Sequence, residues 1–388
     1  MADQSFLDWP FFDQAHRGVP GSLGRWCREN LGGIDHEDSD NACRKLVAGL
    51  GAAGWLANSA IDPDRPGKAL DVRTLCLIRE TLAYHDGLAD FAFAMQGLGA
   101  GAVSLFGTEQ QLALLRHTRV GKMICAFALT ERRSGSDVAN IEASAERSGD
   151  DYILRGEKTW ISNGGIADIY VVFARTGEGP GAKGLSAFLI PADIDGLEIM
   201  EKIEVVAPHP LARIRFNGIK LSPAAMIGRP GEGFRIAMSV LDVFRPTVGA
   251  AALGFARRAL DETLQRCQVR DLFGAPMHDL QMVQGHLADM AVKIDAAALL
   301  VYRAAWMKDQ GVERISCEAA MAKLFATEEA QKVIDTAVQL HGGDGVRKGS
   351  AVESLYREIR ALRIYEGASD VQKIIISRQT INRHKEAR

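Results

Sequence analysis

The hydrophobic period of this chain changes twice, and that double change constrains its fold more than any other feature. From about residue 38 to 120 apolar positions recur at helical spacing, as in DVRTLCLIRETLAYHDGLADFAFAMQGLGAGAVSLF, with Gly and Pro confined to punctuation such as DPDRPG. At DDYILRGEKTWISNGG the pattern turns to alternation rich in β-branched and aromatic residues. It continues through IADIYVVFART, GLSAFLIPAD, LEIMEKIEVV and ARIRFNGIKL, between turn-rich joints. After RPGEGF the helical period returns over about 233–266, 278–309 and 314–340, with a last helix from about 370. Helices of about thirty residues with one apolar side imply a bundle and contacts between subunits. The expected fold is α+β and multidomain: an N-terminal helical domain at 1–122, a middle antiparallel β domain at 123–229 and a C-terminal helical domain at 230–388.

That order argues against a doubly wound nucleotide-binding fold, so two glycine-rich strings need another account. GLGAGAV at 97–103 follows helical sequence rather than a strand, which favours small-residue packing over a phosphate cradle. HGGDGV at 341–346 follows a long helix, where glycine is the usual stop. The 388 residues suffice for a buried pocket, and a formal net charge of −3 offers no general attraction to nucleic acid or anionic membrane. Six cysteines are scattered singly without a CxxC pair, so neither a metal site nor a disulfide framework is expected. MADQSFLDWPFFDQ has no basic region before an apolar stretch, and no eighteen apolar residues run together. The expectation is a cytoplasmic protein acting on small molecules.

Three segments carry candidate chemistry. ALTERRSGSDVAN at 128–140 gathers Thr130, Ser134 and Ser136 with turn amides, suited either to a phosphate or polar ring edge or simply to a capped surface loop. KTWISNGG at 158–165 offers the flat face of Trp160 with Ser162 and Asn163 beside it, or a hairpin around a buried tryptophan. ALRIYEGASDVQK at 361–373 places Glu366 between Tyr365 and Gly367, where a solvated surface glutamate is the ordinary alternative.

With ALTE, SGSD, KTWISNGG, GEGF, VLDVFRP, the Arg270/Phe273/Gly274 pattern, QLHGGDGV, YRE and RIYEG in order along nearly its whole length, the sequence resembles the acyl-CoA dehydrogenase family. The resemblance implies a C-terminal four-helix bundle, FAD, α,β-desaturation of acyl-CoA thioesters, an electron-transferring flavoprotein as acceptor and a homotetramer built as a dimer of dimers. It implies that Phe127, Leu129 and Thr130 line the flavin, that Gly135 and Ser136 serve the junction of FAD pyrophosphate and CoA, and that Trp160 and Ser162 cover the ring near N5. It also implies that Arg270, Phe273, Gln281, Gln339, Gly342 and Gly343 reach the FAD of a neighbouring subunit. Ala368 and Asp370 stand where relatives carry threonine and glutamine at the adenosine end, and Arg132 where they carry proline. On the substrate side it implies Ser136, Asp242, Arg245, Tyr365 and Gly367, with Glu366 as the base that takes the α-proton. Some relatives carry the base on the long helix after GEGF, but no glutamate lies between Glu232 and Glu262 here.

From Glu80 to Leu115 there is no Lys or Arg to read a second carboxylate, so a neutral acyl group is expected. The string GLGAGAV either widens its pocket for a branched or alicyclic chain or packs helices. Two other readings of the fold are a flavin oxidase or monooxygenase and a noncatalytic nucleic-acid-binding protein. The first typically lacks the YEG glutamate, and the net acidity speaks against the second.

Overall fold

A computed structural model describes residues 3–65 and 67–388. The chain forms two compact units, one of residues 1–33, 71–90 and 242–388, the other of residues 34–70 and 91–241. Elements of the helical first third belong to both, so the division at 122/123 and 229/230 stands as a proposal about modules.

In the first unit the helix Ser316–His341 is central, packed against Gln281–Asp309, Ala351–Leu362 and Ser369–Glu386. Its buried face is largely alanine (Ala319, Ala320, Ala322, Ala326, Ala330 and Ala337), which brings neighbouring backbones close. The helix Val72–His85 begins on a carboxylate from far along the chain. Asp309 accepts from the amides of Val72 (2.7 Å) and Arg73 (3.1 Å) and from Arg73 Nε (2.7 Å), which satisfies free helix N-terminal donors. Deeper inside, the buried Glu80 accepts from Arg257 Nε at 2.6 Å and from the Tyr302 hydroxyl.

The second unit is built on an eight-stranded sheet. Its order is Leu197–Lys202, Leu211–Leu221, Asp151–Ser162, Ser144–Ser148, Ile169–Arg175, Leu185–Pro191 and Met226–Ile227. The expected antiparallel pairing holds for most of it, with two parallel exceptions. Cys125–Ala128 runs parallel to Ile169–Arg175, Cys125 opposite Ile169, and a single parallel pair joins Ser144 to Arg175. IYVVFA is buried throughout because Ile169–Arg175 is covered on both faces, whereas Asp151–Ser162 keeps the alternation of a half-covered strand.

Both glycine strings take the bland role expected of them. GLGAGAV lies inside the helix Gly87–Phe106, where a Cβ on Gly99 would stand 2.5 Å from Cys125 Cβ. HGGDGV ends the helix Ser316–His341, with Gly342 at φ 62°. The helices Gly87–Phe106 and Gly233–Val269 are long and apolar enough to cross a membrane by length and composition, but 94% and 83% of their most apolar windows are buried inside the protein, as in core helices.

Gly254 shows how tight the first unit is: a Cβ there would lie 2.2 Å from the Glu80 carbonyl oxygen. Gly254→Ala gains about 1 kcal/mol of helix propensity, yet the clash is with backbone and outweighs it. We expect a net loss of about 1–3 kcal/mol, seen as a lower Tm. Gly285→Ala, on a helix with nothing within 4 Å of the new methyl group, is expected to raise Tm.

Candidate active site

The turn between the helices Ala351–Leu362 and Ser369–Glu386 holds Glu366 in the left-handed region at φ 52°, followed by Gly367 at φ 92°. A non-glycine residue there costs about 1–3 kcal/mol and persists only when its surroundings hold it. Here they do. The Gly367 carbonyl accepts from Lys323 Nζ and from Gln372 Nε2, each at 2.8 Å, and Arg245 Nε points at the Glu366 carbonyl at 3.4 Å. A side chain at Gly367 would be strained at this φ, and its Cβ, 2.4 Å from Gln372 Nε2, would push that donor off the Gly367 carbonyl. Before the turn, Arg363 is tied to Glu328 at 2.7 Å, and Ser369 donates to the same carboxylate at 2.5 Å.

The Glu366 carboxyl group faces inward, and its Oε2 is shielded from solvent without a hydrogen-bond partner. Burial pushes its pKa up to about 7, against the opposing pull of Arg79, Lys323 and Arg245, with Asp90 adding to the rise. Arg79 grips Asp90 through two bonds, at 2.9 and 2.8 Å, and donates to Thr247 Oγ1 at 3.0 Å. Arg245 lies 3.6 Å from Asp242, which itself accepts from Ser316 Oγ at 2.7 Å. Lys323 is wholly buried, and the loss of solvent lowers its pKa to about 8.

A second set of expected residues lies on the sheet. The strand Cys125–Ala128 carries Phe127, and Leu129 and Thr130 follow it. They are fixed to the strand Asp151–Ser162 by Thr159 N donating to Thr130 O (3.0 Å) and by the buried Lys158 Nζ donating to Leu129 O (3.0 Å) and Glu131 Oε1 (2.7 Å). Glu131 also accepts from the amides of Glu142 (2.6 Å) and Ala143 (3.0 Å), so it serves as the clasp of the loop. Gly135 and Ser136 are exposed at its tip.

The pairing of Asp151–Ser162 with Leu211–Leu221 slips between Lys158 and Ile161, and Trp160 sits at this irregularity with φ 59°. Its indole is 56% exposed, which decides against the buried-tryptophan hairpin. Ser162 is half-buried two residues on. Asn163, also left-handed, locks the corner by donating from Nδ2 to Cys125 O at 2.9 Å.

The third set occupies one end of the helical unit. Phe273 (φ 55°, 97% exposed) and Gly274 form the tip of a two-residue-strand hairpin after Arg270. Leu272, Leu280 and Leu340 pack on the cluster of Cys267, Met277 and Val283 beneath it. Arg266 joins this end to the glycine turn through Asp344 (2.8 Å) and the His341 carbonyl (3.3 Å), which places Arg270, Phe273 and Gln281 with Gln339, Gly342 and Gly343. Ala368 precedes the last helix, and Asp370 is exposed in its first turn.

Sequence reasoning missed Arg79, Asp90, Lys323 and Gln372. Arg79 lies one residue before the window found free of cations, and Asp90 neutralises it. The signal for Lys323 is faint, a lone cation among apolar neighbours in AAMAKLFA, a pattern that usually marks a stem laid on apolar surface with its head in water.

Comparison with known proteins identifies the family. Residues 126–219 match the family model of the acyl-CoA dehydrogenase middle domain, and residues 231–381 that of the C-terminal domain. The probable acyl-CoA dehydrogenase fadE25 of Mycobacterium leprae is 36% identical over 337 residues, 86% of each chain. The mitochondrial isobutyryl-CoA dehydrogenase of Dictyostelium discoideum is 36% identical over 81% of this chain and 77% of its own. The structure of butyryl-CoA dehydrogenase from Megasphaera elsdenii superimposes with a TM-score of 0.88 at 29% identity, covering 95% of this chain and 99% of that one. With its helical N-terminal region, β-sheet middle domain and helical C-terminal domain, the chain belongs to the acyl-CoA dehydrogenase family of flavoprotein oxidoreductases.

Proposed function

We propose that the chain catalyses FAD-dependent α,β-dehydrogenation of an acyl-CoA thioester, with Glu366 as the base that removes the α-proton. The observation that carries this reading is the shielded, partnerless Oε2 of Glu366 on a strained turn. A general base works best with a pKa near the operating pH, and burial brings this one to about 7. The thioester α-C–H is weakly acidic, so its carbonyl needs a donor as negative charge develops on it. The Glu366 amide, aimed by the Gly367 turn, is assigned that role.

FAD, when bound, supplies the acceptor for the β-hydride. The exposed Trp160 fits a planar ring system, because the slip in strand pairing at Lys158–Ile161 turns a large apolar side chain out into solvent. Thr130, Ser162, Phe127 and Leu129 are assigned to the same ring, and Gly135 and Ser136 to the pyrophosphate and CoA junction. Arg270, Phe273, Gln281, Gln339, Gly342 and Gly343 are assigned to the FAD of a neighbouring subunit in a homotetramer, and Ala368 and Asp370 to the adenosine end. On the substrate side Asp242, Arg245, Tyr365 and Gly367 accompany Glu366.

A neutral acyl group fits the pairing of Arg79 with Asp90, which leaves that guanidinium no free charge for a second carboxylate. The isobutyryl-CoA and butyryl-CoA dehydrogenases among the similar proteins favour a short or branched chain. Electrons are then assigned to an electron-transferring flavoprotein, in the cytoplasm.

Anaerobic titration with neutral straight, branched and cyclic acyl-CoAs is expected to bleach the flavin, and Glu366→Gln to slow bleaching by about 10²–10⁴-fold. Wild-type bleaching by the variant would remove Glu366 as base, and no bleaching by any acyl-CoA would remove the dehydrogenase reading. Because the base must be ionised, the wild-type rate is expected to rise through a midpoint near pH 7.

Stability should move the other way. The folded pKa lies above the ordinary value of 4.5, so protonated Glu366 favours the folded state, and stability falls as pH rises from about 4.5 through 7. Glu366→Gln, permanently neutral, is expected to raise Tm at pH 8, by up to about 3 kcal/mol of linkage, and to leave it unchanged near pH 4. Phe273→Asp is expected to shift the protein to smaller oligomers in sedimentation and to weaken FAD retention, while an unchanged assembly would count against the subunit role of the hairpin.

A further inference from the structure

We propose that Lys323 is a positioning residue for this reaction: its buried ammonium pins the Gly367 carbonyl, and so the Glu366 turn, while serving as the countercharge of the Glu366 carboxylate. The inference rests on the assignment of Glu366 as base. It begins from an ammonium where a hydrophobic side chain would be the ordinary choice. Lys323 projects from the central helix Ser316–His341, is wholly buried, and donates to Gly367 O at 2.8 Å. Among the described residues it makes no ion pair within 4.0 Å, and burying a charge without a carboxylate is costly.

The other charges around it are already matched. Arg79 of the helix Val72–His85 is held by Asp90 at 2.8 Å. Arg245 of the helix Gly233–Val269 lies 3.6 Å from Asp242 on the same helix. Arg363, just before the turn, is held by Glu328 of the central helix at 2.7 Å. Tyr365 stays neutral, since burial pushes its hydroxyl well above the usual range. The remaining charges are Lys323 and Glu366, and Glu366 is the first acidic neighbour to favour the ammonium, ahead of Glu328, while Arg245 and Arg363 oppose it. After Arg79, which Asp90 already holds, Lys323 is the next cation to favour the ionised Glu366, ahead of Arg245.

Position and charge can be separated because Gln372 makes the matching neutral contact. Its Nε2 donates to the same Gly367 carbonyl at 2.8 Å. Removing either donor loosens the turn, but only removing Lys323 takes away a positive charge near the base. Loss of that charge disfavours the carboxylate, so the pKa of Glu366 rises and the acid limb of the rate profile moves to higher pH.

The test uses FAD-loaded protein, isobutyryl-CoA or butyryl-CoA, and anaerobic flavin reduction from pH 5.5 to 9. Lys323→Met is expected to slow reduction about 10–100-fold at pH 7, with the acid limb displaced upward by about one pH unit and the deficit shrinking as pH rises. Lys323→Arg should return the limb to its wild-type place, and Gln372→Leu should lower the rate with the limb unmoved. A Lys323→Met profile that overlays wild type, or is scaled down without displacement, overturns the proposal. Should that variant not fold, Lys323→Gln, which keeps a donor and loses the charge, must show the same displacement or the proposal fails.

A second readout needs no substrate. The pH range over which Glu366→Gln raises Tm should move upward in the Lys323→Gln background, and an unmoved range also overturns the proposal. Wild-type flavin reduction by Glu366→Gln alone would instead sink the base assignment, while this stability cycle would still report whether the two charges are coupled.

Discussion

The burial of one carboxyl group on a left-handed turn organises the helical unit around it. Glu366 carries two costs at once, the strained φ and the removal of an ionisable group from water. Together these are a sizeable fraction of the 5–15 kcal/mol that typically separates folded from unfolded protein. A sequence selected for stability alone would place neither cost there. Donors from three separate helices converge on the two carbonyls of the turn: Arg245, Lys323 and Gln372. Their convergence explains how the strain persists, and the role of base proposed for Glu366 would explain why it is kept.

Charge around the site follows the same logic. A carboxylate among three cations would ordinarily have a depressed pKa, useless as a base near neutrality. Asp90 and Asp242 offset Arg79 and Arg245, so burial prevails and Glu366 rises to about 7. The Arg79–Asp90 pair is bidentate and buried, the geometry in which an arginine is least free to engage a ligand. The same pair therefore bears on the proton affinity of Glu366, and on the proposed function it would also leave no free cation for a second carboxylate of an acyl chain.

Much of this was legible in the chain's own periodicity. The switch from helical spacing to alternation and back locates the β strands and the long helices to within a few residues, because both periods reflect which faces are covered. Glu366, Trp160 and Phe273 stand out through short motifs. What the sequence conceals is whatever depends on contact between distant segments. The parallel placement of Cys125–Ala128 beside Ile169–Arg175 leaves no local trace, since a short buried strand reads alike in either direction. Lys323 meets Gly367 across 44 residues, and a single lysine on a helix ordinarily reads as solvated. Glu131 looks like part of a ligand loop, yet it is committed to Lys158 and two amides, a role visible only once the loop is folded onto the strand.

Backbone strain ties the motifs together more firmly than composition does. Four non-glycine residues among those described have positive φ: Trp160, Asn163, Phe273 and Glu366. Asn163 is accounted for within its own unit by hydrogen bonds that lock the corner of the sheet. The other three have local accounts as well: Trp160 sits where the strand pairing slips, Phe273 and Gly274 form a two-residue hairpin loop that requires positive φ, and the Glu366 turn is held by Arg245, Lys323 and Gln372. Trp160 and Phe273 present large apolar rings to solvent, and Glu366 withholds a carboxylate oxygen from any partner. An exposed aromatic and an unsatisfied buried acceptor are opposite departures from ordinary folding, and in both cases it is the side chain rather than the backbone that the fold leaves without a use. On the function proposed above, a planar ring system would cover Trp160, a second subunit would cover Phe273, and a substrate C–H bond would face Glu366. These positions fall inside KTWISNGG, the Arg270/Phe273/Gly274 pattern and RIYEG, so each string couples a tight local backbone to a side chain that the packing of its own unit does not use.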